Sequence, residues 1–158
     1  MRAKSVHQTL DEQRQGFTRG GDPAEAMGVG LRPKIKAWLD LMGVKYYTIN
    51  DNLTIDVDDY SVNLNGLENL YEFPDYVKFG RIGGGFYCCH GGVVSLKGFP
   101  ETVDGDFYCS HNALTSLIGC PKKVGRNFSC SYNAKQFTSQ EVKNLCDVKG
   151  EIFTCDER

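Results

Sequence analysis

Three stretches of this chain carry one pattern at intervals of 21 residues: Phe86, Phe107 and Phe128 form one column, and Cys88, Cys109 and Cys130 form another. Leu96 and Leu117, Pro100 and Pro121, and Val103 and Val124 keep the same interval. The middle copy runs Val103-Asp-Gly-Asp-Phe107-Tyr-Cys109-Ser-His-Asn112-Ala-Leu114-Thr-Ser-Leu117-Ile-Gly119-Cys120-Pro121. A unit this short cannot bury its apolar face alone. It must stack on its neighbours, so the repeat restricts the chain to a solenoid.

Within a unit, the alternation Phe-x-Cys puts both side chains on one face of a strand, here the inner one. Stacked coils bring each Phe and Cys beside its counterpart, about 4.8 Å away. Asn112, just past the strand, is suited to bonding the backbone groups of a buried turn. Gly105 and Gly125 stand where the chain bends into the next strand. Pro100 and Pro121 suit a connector that lacks an amide donor. The fold expected is mainly β with capping helices: a short parallel β-solenoid.

The copies degrade toward the ends, as terminal coils must to hide their open faces. Gly91 replaces the asparagine in the first full unit and Lys135 the leucine in the last. Upstream, Leu53–Val57 alternates as a strand, and Val62-Asn-Leu64 with Leu67, Leu70, Phe73 and Pro74 forms a diverged unit. Lys78–Ile82 looks like a five-residue insertion, and Ile152-Phe153-Thr-Cys155 repeats the strand once more. Thr138-Ser-Gln-Glu141 is a capping box, and Phe137 with Val142 fits a hydrophobic staple. Val142, Leu145 and Cys146 then share a stripe of a two-turn helix. At the other end Pro33 opens and Gly43 closes a helix with Ile35, Trp38, Leu39 and Met42 on one face, expected to cover the Leu53–Leu64 strands. The organisation expected is an arm over residues 1–30, a helical cap over 31–52, the repeats over 53–137, and a cap helix and strand over 138–158.

Phe107-x-Cys109-x-x-Asn112-x-Leu114 matches the L-x-L-x-x-N-x-L segment of a leucine-rich repeat, with Phe and Cys in two leucine slots. The chain resembles the leucine-rich-repeat-like proteins of tailed bacteriophages and some bacteria, whose units run L-T-S-L-x-G-C-P-x-x-V-G-G-x-F-x-C-S-x-N. The match covers roughly residues 53–155. The resemblance implies a curved solenoid with one short strand per coil, and no single activity. Phe17–Gly30 also resembles a leader found ahead of otherwise unrelated phage proteins.

Composition narrows the function. A formal net charge of -2 argues against a dedicated nucleic-acid binder. No apolar run approaches the roughly 20 residues of a membrane span, and no apolar h-region follows the basic start, so neither a span nor a secretory signal is expected; host cytoplasm or a virion is the location the phage resemblance then implies. The seven cysteines are then expected as thiols. Cys88, Cys109 and Cys130 read as small core hydrophobes, since stacked parallel Cβ atoms fit a disulfide poorly and a spacing of 21 is foreign to zinc sites. A calcium loop starting at Asp56 would need Gly and Glu where Ser61 and Leu67 stand. Gly83-Gly84-Gly85 lacks the Gly-Lys-Ser/Thr of a phosphate loop. No metal, cofactor or catalytic residue is expected.

One feature is left for function. Tyr87, Tyr108 and Ser129 lie between the inward Phe and Cys and must point outward, while His90, His111 and Tyr132 share a column two residues past the cysteine. Tyr87, His90, Tyr108, His111 and Tyr132 are therefore expected to form an exposed strip on the concave face, of the kind that binds proteins. Adjacent histidines could also take up a metal adventitiously. The expected role is a non-catalytic interaction module, phage-encoded, engaging a host or viral protein. The alternatives are a virion component docking through its N-terminal arm, and an enzyme subunit.

Overall fold

The computed structural model describes residues 30–155, which divide along the chain into two compact units, one ending at Lys45 and one beginning at Tyr46. The expected arm, save Gly30, and the last three residues lie outside the described residues.

The first unit contains helix α1 (Leu31–Met42), which buries Ile35, Trp38 and Leu39 on one face. Pro33 sits in its first turn, where a missing donor costs nothing. Gly43 ends it in the left-handed conformation at φ 80°, where a side chain would be strained. No helix among the described residues is long and apolar enough to cross a membrane.

The second unit is a parallel β-solenoid. Its strands are β1 (Tyr47–Ile49), β2 (Ile55–Val57), β3 (Val62–Asn63), β4 (Phe79–Ile82), β5 (Phe86–Tyr87), β6 (Thr102–Val103), β7 (Phe107–Tyr108), β8 (Lys123–Val124), β9 (Phe128–Ser129), β10 (Asp147–Val148) and β11 (Ile152–Phe153), with helix α2 (Ser139–Leu145) between β9 and β10. Even-numbered strands build one sheet, which β1 closes by pairing antiparallel with β2. The odd-numbered strands from β3 to β11 build the other, parallel throughout.

Phe86, Phe107 and Phe128 pair in register, as their spacing requires. Each coil contributes two short strands, however, not one. The second sheet arises because the chain also turns at the valine column: Ile82, Val103 and Val124 pair directly and are buried. The extra residues around Lys78–Ile82 are not looped out of the sheet. The Phe79–Ile82 portion is β4, which carries one extra residue opposite β2 and buries Phe79 and Ile82. The coil step is 24 residues from Val62 to Phe86, 21 for the next two, and 24 from Phe128 to Ile152.

Three features hold the stack. Phe86, Phe107 and Phe128 are fully buried, with ring centroids 6.1 and 5.1 Å apart along the ladder. Burial of each ring contributes about 2 kcal/mol. Asn112 binds two coils together: its Nδ2 donates to the carbonyls of Cys88 (2.6 Å), Cys109 (3.2 Å) and Ser110 (3.3 Å), while its Oδ1 accepts from Gly91 (3.0 Å) and Val93 (3.1 Å). Asn133 repeats the bridge between Cys109 and Cys130. At the corner between the sheets, backbones approach so closely that a Cβ on Gly125 would sit 2.1 Å from the Asp104 carbonyl oxygen. Only glycine fits there.

The capping box at α2 is formed: Glu141 N–H donates to Thr138 Oγ1 (3.2 Å) and Thr138 N–H to Glu141 Oε1 (2.9 Å). Phe137, Val142 and Cys146 are buried, but Leu145 is 45% exposed and stands outside the apolar stripe expected of it. The chain leaves helical geometry at Cys146 to enter β10, which turns Leu145 outward.

Candidate functional site

The odd-strand sheet carries two half-buried rings, and the turn that follows it carries three exposed ones. Tyr87 and Tyr108 occupy the outward positions of β5 and β7, with ring centroids 5.4 Å apart and planes at 77°. Edge-to-face packing suits two quadrupolar rings held one coil apart. The rung above Tyr108 is Ser129, which shares a hydrogen bond of 2.5 Å with Ser110.

Three residues past each strand the chain reverses through a left-handed residue: His90 (φ 61°), His111 (φ 58°) and Tyr132 (φ 58°). Identical backbone in successive coils gives parallel Cβ directions, so the three rings stack. Centroids are 4.3 Å apart for His90 and His111 and 4.7 Å for His111 and Tyr132, with planes within 19° of parallel. All three are exposed, Tyr132 by 59%. The five residues singled out from sequence thus form two ladders, Tyr87 with Tyr108 and His90 with His111 and Tyr132.

Burial first, and the neighbouring Asp106 carboxylate second, hold the Tyr87 phenol above its ordinary range. Tyr87 folds back over Gly85, where a Cβ would meet its Oη at 2.4 Å.

Cys88 and Cys109 are fully buried and Cys130 nearly so, and all seven cysteines are thiols. Burial pushes the Cys88 thiol up to about 12 and Cys109 well above its usual range. Such thiols are poor nucleophiles and poor metal ligands. Among the described residues no three His, Cys, Asp or Glu side chains gather where a metal ion could be held.

Sequence reasoning missed a second exposed pair. Tyr46 and Tyr60 stack at 4.3 Å, exposed by 68% and 51%. Their partnership crosses no repeat column, so periodicity could not reveal it. The positive φ of the ring column was legible only indirectly: Gly66 occupies the same column one coil earlier, at φ 72°.

No protein-family model matches the chain, and no curated protein or solved structure does either.

Proposed function

We propose that this protein is a non-catalytic interaction module, phage-encoded, which engages a host or viral protein through the strip of Tyr87, Tyr108, His90, His111 and Tyr132. The observation that carries the reading is the backbone beneath the rings. A left-handed non-glycine residue costs on the order of 1 kcal/mol or more, and a bulky tyrosine is unusual there. Gly66 holds the same conformation without that cost. Three consecutive coils nevertheless spend the position on flat, exposed side chains. Strain kept at a surface is strain kept for use.

Tyrosines suit such a role because they offer large contact area with few rotors to freeze. The phage origin rests on the resemblance of the repeat unit and of the Phe17–Gly30 leader. The test is capture from infected cells with tagged wild-type protein, run beside a variant carrying Tyr87→Ser, Tyr108→Ser and His111→Ser. A partner enriched by wild type and lost with the folded variant supports the reading; equal enrichment by both overturns it.

A further inference from the structure

We infer that the ring stack is one rung short, and that the vacant rung at Gly66 is a docking position for the guanidinium of a partner's arginine. The inference rests on reading the strip as an interaction surface. Gly66 is in register with the stack. Its N–H donates to the Cys89 carbonyl (2.8 Å), just as His90 donates to Ser110 (3.4 Å) and His111 to Ser131 (2.9 Å). In each case the acceptor precedes the column residue of the next coil. With φ at 72°, close to the 61° of His90, a side chain at residue 66 would point along the stack. A Cβ there meets nothing within 4 Å. Among the described residues His111 is the one ring stacked on His90, and His90 is exposed.

The loop beneath that face is already set. Asn65 Oδ1 accepts from Cys89 N–H (2.7 Å), and Asn65 N–H donates to Asn63 Oδ1 (3.0 Å). A flat group could therefore enter without ordering the protein. Charge selects among flat groups. Residues 46–121 carry ten Asp and Glu against three Lys and Arg, and exposed Glu68 lies two positions from Gly66. Two of the three basic residues, Arg81 and Lys97, already pair with Asp104 and Asp75 at 2.5 Å. From Lys122 onward the balance reverses, with six basic residues against three acidic over 122–155. The vacancy thus opens on the acidic end of the solenoid. Guanidinium is planar, weakly hydrated and cationic; ammonium lacks the plane and a phenol ring lacks the charge.

The test follows the ring signals of His90 and His111 by NMR in the full chain, titrated separately with the amides of N-acetyl-arginine, N-acetyl-lysine and N-acetyl-tyrosine. The arginine amide should shift His90 with a midpoint about threefold or more below that of either other amide. Gly66→His completes the stack with a residue that already tolerates this backbone in two coils, and should abolish the His90 response. Should that variant fail to fold, His90→Gly moves the vacancy one coil along and should transfer the response to His111. Equal midpoints for arginine and lysine, a lower midpoint for tyrosine, or a His90 response surviving in folded Gly66→His would overturn the inference. None of these outcomes touches the partner-capture test, whose substitutions at Tyr87, Tyr108 and His111 leave Gly66 and His90 in place.

Discussion

His90 and His111 lie face to face, centroids 4.3 Å apart and planes 16° from parallel, each on left-handed backbone that glycine would adopt at less cost. Two opposing quantities meet in that pair. Stacking gains about 0.5–1.5 kcal/mol, and the backbone costs a similar amount. Stability therefore gives no reason to keep the rings.

The first expectation follows directly. His111→Gly relieves the backbone and breaks the stack on both sides, so unfolding free energy should change by less than about 1 kcal/mol. Urea denaturation with an unchanged slope checks it. A loss well beyond that range would make the stack a structural element and remove the argument for function.

Asn112 should behave in the opposite way. Its side chain serves three carbonyls and two amides across two coils. Asn112→Ala leaves several of these without partners and should cost about 2–3 kcal/mol. Asn133→Ala removes fewer bonds and should cost about half as much, measured in the same denaturation series.

The thiols make a pH-dependent expectation. Burial raises Cys88 to about 12, Cys146 to about 12 and Cys120 to about 11, from ordinary values near 9. Between these limits the folded chain holds protons that the unfolded chain has released, so stability falls as pH rises. Melting temperature should thus be flat below about pH 9 and decline progressively toward pH 12. Cys109→Ala should cost about 1 kcal/mol through lost packing, and native Cys88 and Cys109 should resist alkylation at pH 8 until the chain unfolds.

How much of this was legible in the sequence depended on which residues repeat. The Phe and Cys columns sit at an invariant interval and alternate, so one sheet and its register follow from them. The other sheet has strands such as Thr102–Val103 and Lys123–Val124, whose single buried valine shows no alternation. It emerges only when the chain is stacked. The same limit hid β4, because its coil runs 24 residues from Val62 to Phe86 and breaks the interval of 21. Of the candidate site, the ring columns could be read from spacing. Their left-handed backbone shows in the sequence only through Gly66 in the same column, since histidine and tyrosine do not advertise positive φ. Tyr46 and Tyr60 meet past the open ends of the antiparallel β1 and β2, in no repeat column.

The measurement closest to the central claim compares wild type with the variant carrying Tyr87→Ser, Tyr108→Ser and His111→Ser, by calorimetric titration against the captured partner and by thermal melting. Loss of interface anchors should weaken binding by at least about 2 kcal/mol, roughly thirtyfold in Kd, while the melting curve stays cooperative because none of these rings fills the core. Unchanged affinity in a folded variant would contradict the account and move the binding surface elsewhere on the chain.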